Sequence, residues 1–150
     1  TLTFMVGSSS NDFEKILPIL NILGEKIYHI GDFGSGMSIK VLNNFVASCS
    51  VLAVRHVLSE AKNLNISSEQ LLNILNCSSG QNWFSDNLNK IDWAKESYNN
   101  DNTIAILEKD VKSFIDGLEN TQSKISDDMI NFQKALLRGL KNIPKYPNED

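Results

Sequence analysis

A chain of 150 residues is the length of one domain and can bury about two thirds of its unfolded surface. Its 14 basic and 18 acidic residues, a net charge of −4, give neither the basic footprint of a nucleic-acid binder nor a block of like charge that would serve as a binding tail. Cys49 and Cys77 are too few for a disulfide framework and lack metal-ligand spacing. Two mostly buried free thiols in a reducing cytoplasm are expected, with no metal site.

The chain opens on Thr1-Leu2-Thr3-Phe4-Met5-Val6-Gly7, without the charged start and apolar core of a signal peptide. These β-prone residues predict a short strand over 1–6, entered in mid-stride as in a piece cut from a longer protein. Ser8, Ser9, Ser10 and Asn11 offer N-caps to a helix carrying Ile16, Leu17, Ile19, Leu20 and Leu23 at helical spacing. Pro18 should kink that helix or start it afresh, and Gly24 stops it. Residues 26–30 alternate weakly and read as a second strand.

A long helix follows from about Gly36 to Asn65, about 45 Å at 1.5 Å per residue. Ile39, Val41, Leu42, Phe45, Val46 and Leu52 put apolar groups on every side of its first half, which predicts a buried spine. The apolar run of 41–54 is interrupted by Asn43, Asn44, Ser48 and Ser50 and is too short to span a membrane. The second half reads as amphipathic, with Arg55, Glu60 and Lys62 outward and Val57, Leu58, Ala61 and Leu64 inward. Ser67 or Ser68 caps the next helix, which buries Leu71, Leu72, Ile74 and Leu75. A loop over 76–81, a short helix over 83–93, a polar break at 98–102, helices over 104–118 and 125–140, and a tail over 142–150 complete the chain. The prediction is a mostly α fold with one or two short N-terminal strands, located in the cytoplasm. His29 and His56 are isolated, Trp83 reads as core, and Ser78-Ser79-Gly80 lacks the paired His and acid of a nucleophile.

The stretch that could carry chemistry is Gly31-Asp32-Phe33-Gly34-Ser35-Gly36 with the helix start behind it. Lys40, Asn43 and Asn44 lie at i, i+3 and i+4 and share one face. Ten of the 14 residues between Lys40 and Arg55 are apolar, an odd setting for a lysine that merely solvates a first turn. A lysine can act as acid and base if burial lowers its pKa towards the working pH. Asn43 and Asn44 can donate to a carboxylate or hold a hydroxyl without burying charge. Ser35 and Gly36 lie where helix amides are free, a natural anion site.

The string Gly-Ser-Gly-x-x-x-Lys-x-x-Asn-Asn resembles the active-site motif of the β-hydroxyacid dehydrogenases, the family of 3-hydroxyisobutyrate dehydrogenase. Further landmarks fall in the family's order: the opening strand, Glu60-Ala61, Asn76-Cys77-Ser78-Ser79-Gly80 with Trp83, and Lys109-Asp110-Val111. The resemblance implies a fold like the C-terminal domain of 6-phosphogluconate dehydrogenase, a helical bundle around one long central helix. It implies that residues 1–150 form the helical catalytic and substrate domain, with 1–30 the end of an interdomain strand and the first helix. A Rossmann domain of the same protein would bind NAD or NADP. No Gly-x-Gly-x-x-Gly follows a strand in this chain, so the dinucleotide fingerprint lies elsewhere.

By the resemblance Lys40 is the catalytic acid/base, Gly36, Asn43 and Asn44 bind substrate, and Lys109 reaches the cofactor. The 6-phosphogluconate dehydrogenases carry a histidine where Asn43 stands, which argues against that substrate and for a small β-hydroxyacid oxidised to its semialdehyde. Other family reactions stay open: reduction of tartronate, succinic or glyoxylic semialdehyde, or oxidation of a threonate-type sugar acid. So does a non-catalytic helical dimerisation module. A homodimer is expected, and neither nucleic acid nor membrane as partner; this portion alone should be inactive.

Overall fold

The computed structural model describes residues 2–119 and 125–147. The chain forms two compact units, one ending at Asn43 and one beginning at Asn44. The first contains β1 (Thr3–Gly7), α1 (Ser10–Leu23) and β2 (Lys26–Gly31). The strands pair in parallel, Thr3 opposite Lys26 and Val6 opposite His29, with an irregularity before Gly7 meets Gly31. Parallel neighbours need a crossover rather than a hairpin, and α1 is that crossover. The strand expected near the start, the helix after it and the second strand expected over 26–30 thus form one β-α-β unit. Ser9 caps α1 by accepting from the Asp12 amide, which satisfies one of the orphan donors of the first turn. The helix runs unbroken through Pro18, so the expected restart does not occur. It buries no side chain at all: Ile19, Ile22 and Leu23 are exposed, Ile22 at 83%.

The second unit is helical. The long helix α2 (Ser35–Asn63) begins in the first unit and supplies the second with its main strut. It is followed by α3 (Ser68–Asn76), α4 (Trp83–Asn87), two 3-10 turns (Leu88–Lys90 and Asp92–Lys95), α5 (Thr103–Glu119) and α6 (Asp127–Lys141). The short helix predicted over 83–93 is thus three pieces. A reciprocal pair of bonds between Asn82 and Ser85 starts the first of them. Ser67 and Gln70 form the same box at α3, and Ser126 caps α6. Val51, Val54 and Leu58 of α2 are buried, as are Phe84, Leu88, Ile104, Val111, Leu136 and Leu140 of the elements that follow. Phe45 tilts against Phe114 at 4.3 Å between ring centroids and meets Phe132 edge-on at 5.8 Å.

Several expectations change. The first half of α2 is not buried: Met37, Leu42 and Val46 are exposed, and the core begins at Phe45. A helix apolar on all sides needs cover on all sides, and these residues have none here. By length and composition α2 is also long and apolar enough to cross a membrane, its richest window averaging a hydropathy of 1.5. Only 22% of that window is buried in this chain, and the expectation that the run is too short to span a membrane does not hold for the whole helix by length and composition. Arg55, expected outward, is 0% exposed, while Val57 and Leu64, expected inward, are exposed. The buried face of α2 runs through Val51, Val54, Leu58 and Ala61 in steps of three and four, and Arg55, four residues after Val51 and three before Leu58, lies on that same face. Trp83 is exposed, and Phe84 takes the core position, stacking on Trp93 at 5.7 Å. Cys77 is exposed and Cys49 partly buried; burial pushes the Cys49 thiol up.

The expected tail has no regular structure over 143–147, yet Ile143 is buried. Arg55 donates Nη1 to the carbonyls of Ala94 and Glu96 at 2.8 Å and Nη2 to that of Pro144. One buried guanidinium thereby ties two irregular segments to α2. The remaining residues of the predicted tail, 148–150, lie outside the described residues.

Candidate active site

The glycine loop of the first unit is built by its own backbone. Gly34 has φ +92°, a conformation that a side chain makes costly. Gly36 is buried, and a Cβ there would lie 2.2 Å from Met5 O and 2.9 Å from Gly7 N. The start of α2 therefore rests directly on β1, which by itself requires a glycine at 36. Three of the first four amides of α2 are already bonded: Ser35 N to Asp32 O, and Met37 N and Ser38 N to Gly34 O. The expected anion site of free amides is thus largely occupied by the loop itself. Ser35 Oγ is buried and has no hydrogen-bond partner among the described residues.

Lys40 and Asn43 lie exposed on the stretch of α2 that belongs to the first unit. The apolar flank of Lys40 does not enclose it, since Ile39 and Leu42 are exposed themselves. Asn44, one turn beyond Lys40 on the same helix, is half-buried in the second unit. Its Nδ2 donates to Oδ2 of Asp110 on α5 at 2.7 Å. Asp110 is buried beside Leu107, Val111 and Phe114 on the inward stripe of α5. The sequence reading named Asp110 only as part of a landmark. Its signal was there: an acid on the apolar stripe of a helix is costly to bury unless bonded.

Lys109 is exposed, at the edge of an open cleft of about 340 Å³ lined among others by Tyr98, Asn100, Asn102 and Ile106. The polar break at 98–102 is held in place from below by Glu108. Tyr98 Oη donates to Glu108 Oε2 at 2.8 Å, and the ammonium groups of Lys112 and Lys141 reach Oε1 at 2.6 and 3.4 Å. Burial alone would raise the Glu108 carboxyl. The hydrogen bonds from Lys112 and Tyr98 and the charges of Lys112 and Lys141 outweigh burial and hold it below the ordinary range. The same contact with Glu108 raises both Tyr98 and Lys112.

Residues 34–135 match the family described as "NAD-binding of NADP-dependent 3-hydroxyisobutyrate dehydrogenase". Among curated relatives, 2-(hydroxymethyl)glutarate dehydrogenase of Eubacterium barkeri is 37% identical over 83 residues, 55% of this chain and 28% of that protein. A probable mitochondrial 3-hydroxyisobutyrate dehydrogenase of Dictyostelium discoideum is 42% identical over 90 residues, 57% of this chain and 27% of that one. The mitochondrial 3-hydroxyisobutyrate dehydrogenase of Rattus norvegicus is 38% identical over 94 residues, 60% and 27%. The chain thus spans under a third of the length of these relatives. Among solved structures, 3-hydroxyisobutyrate dehydrogenase of Mycobacterium tuberculosis, solved with L-serine, aligns with a TM-score of 0.73 at 21% identity, covering 96% of this chain and 52% of that one. The Salmonella typhimurium 3-hydroxyisobutyrate dehydrogenase aligns with a TM-score of 0.74 at 17% identity, covering 93% and 47%. At these identities the structures establish the fold.

Proposed function

The chain belongs to the β-hydroxyacid dehydrogenase family of 3-hydroxyisobutyrate dehydrogenase, and from that premise we propose that it is the helical catalytic portion of an NAD(P)-dependent enzyme interconverting a small β-hydroxyacid and its semialdehyde. One observation carries the reading: the family match opens at the glycine loop, and Lys40, Asn43 and Asn44 follow on one face of α2. Oxidation of the acid removes a proton from the hydroxyl and a hydride from its carbon. The nicotinamide, when bound, supplies the hydride acceptor. The chain's own part is the proton, taken by Lys40 Nζ, and the placing of substrate by Asn43 and Asn44. Exposed Lys109 and Asn100 give a polar edge that fits a polyanionic, hydroxylated cofactor.

The first unit supports a further domain. A parallel sheet of two strands is too small to stand alone, and parallel sheets are covered on both faces. Exposed Ile19, Ile22, Leu23 and Tyr28 fit a larger sheet, the Rossmann domain that would carry the cofactor. The names of two relatives also narrow the substrate. Both 3-hydroxyisobutyrate and 2-(hydroxymethyl)glutarate carry a hydroxymethyl group on the carbon beside a carboxylate and differ in the third substituent. This supports 2-substituted 3-hydroxypropanoates as the substrate class.

The test is the absorbance of reduced nicotinamide during turnover by the full-length protein with a panel of such acids, sugar acids and semialdehydes. One acid should be oxidised, and Lys40→Ala should lose at least about 100-fold in kcat. A wild type that binds cofactor but turns over none of the panel removes the substrate assignment. One that binds no cofactor leaves a helical association module, for which exposed Met37, Leu42 and Val46 would be the natural surface.

A further inference from the structure

We infer that Arg55 is a positioning residue for the cleft at Lys109: it fastens residues 143–147 as a strap to the chain that forms the cleft wall, and ligand binding in the cleft depends on that strap. That the ligand is a nicotinamide dinucleotide rests on the reading of Lys109 given above. Arg55 is fully buried, which is costly for a guanidinium unless acceptors take its hydrogens. Nη1 donates to the carbonyls of Ala94 and Glu96, both at 2.8 Å, and Nη2 to that of Pro144. Nε has no hydrogen-bond partner among the described residues, so these three carbonyls carry the compensation. They come from two stretches of chain, and residues 96–99 and 143–147 belong to no helix or strand. The planar fork of an arginine joins two such stretches at a set angle, which a lysine cannot do.

The C-terminal segment is tied to the same wall at two further points. Lys95 holds its ammonium 4.6 Å from the centroid of the Tyr146 ring, a cation–π contact. Lys141, at the end of α6, reaches Glu108 Oε1 at 3.4 Å, and Glu108 Oε2 accepts from Tyr98 Oη at 2.8 Å. Beyond Tyr98 the wall braces itself. Asn102 Nδ2 donates to the Ser97 carbonyl at 2.8 Å, and Asn102 Oδ1 accepts from the Ile104 amide in the first turn of α5. Tyr98, Asn100 and Asn102 line the cleft together with Lys109. Their placement follows from that of 94–96, which Arg55 and the strap hold.

The experiment reads hydrogen exchange over 97–102 and the affinity for NADH and NADPH, by nicotinamide fluorescence, in the full-length protein. Arg55→Lys keeps the charge and loses the fork. Tyr146→Ala loses the cation–π contact and keeps every hydrogen bond of Arg55. Exchange over 97–102 should rise about tenfold in Arg55→Lys and about two- to fivefold in Tyr146→Ala, and the dinucleotide Kd should rise in the same order. Leu72→Ala, which truncates a buried side chain of α3, lowers stability away from wall and strap and should leave the Kd within about twofold of wild type. Exchange over 97–102 that stays at the wild-type rate, or rises no more than exchange over 68–76, overturns the inference. So does wild-type affinity for both dinucleotides in a variant whose wall exchanges faster. Should Arg55→Lys not fold, Tyr146→Ala decides by the same two readings. A wild type that binds neither dinucleotide removes the reading of Lys109, and exchange over 97–102 in the variants then upholds or overturns the strap by itself.

Discussion

Both units carry helices rich in isoleucine and leucine, but they use them differently. In the β-α-β unit α1 buries no side chain, and Phe33, on the glycine loop, is 96% exposed. In the helical unit α2, α5 and α6 bring Leu58, Ile104, Val111 and Leu140 to 0% exposure. Apolar content is not what separates them. A helix over a sheet of two strands covers part of one face, whereas helices crossing on several sides close a core. The second unit closes a core of its own, and the first leaves its helix uncovered.

Substitutions can break or sharpen that contrast. The largest effect should come from Leu58→Ala, about 2–5 kcal/mol of unfolding free energy by chemical denaturation, against a change within about 0.5 kcal/mol for Ile22→Ala in this chain. If Ile22→Ala costs several times more in the full-length protein, further structure covers α1 there. An equal cost in both forms would remove the argument for a larger sheet.

Next come the glycines. A Cβ at Gly36 would meet the backbone of Met5 at 2.2 Å, and one at Gly139 would meet Leu52 Cδ2 at 2.3 Å. A backbone carbonyl cannot swing aside, whereas a leucine end can change rotamer. Gly36→Ala should therefore cost about 2–3 kcal/mol and speed hydrogen exchange in β1, and Gly139→Ala about 1 kcal/mol. The reverse order would mean that the start of α2 does not rest on β1.

The smallest effect is electrostatic. The Glu108 carboxyl is lowered on folding, so its stabilisation is complete above the unfolded value of about 4.3 and is lost as pH falls through the lower folded value. Glu108→Gln should cost about 1–2 kcal/mol at neutral pH, measured by denaturation across pH. The gap to wild type should close in acid. A gap that stays constant down to about pH 3 would show that packing, not charge, holds the polar loop.

What could be read in the residue order was local. Ser9, Ser67 and Ser126 announce helix starts because each cap is settled within three residues of its own position. The long helix, the parallel strands' existence and the alignment of Lys40, Asn43 and Asn44 follow from spacing in the same way. Arg55 was misplaced because a charge on a helix is outward unless something distant satisfies it. Here the carbonyls of Ala94, Glu96 and Pro144 arrive from 39 to 89 residues away. Trp83 reads as core from the sequence, yet it is Phe84 that is buried: in so short a helix no periodicity tells one neighbour from the next.

The sequence by itself therefore determined the helical class, the glycine loop and the face that Lys40, Asn43 and Asn44 share, since each depends on contacts within a few residues. Only the tertiary structure decided that Gly36 serves β1, that Lys40 is exposed in this chain, and that Asp110 is the partner of Asn44 across 66 residues of sequence. Such pairings depend on how helices cross, and helical periodicity specifies which face is inward without saying which distant side chain will meet it.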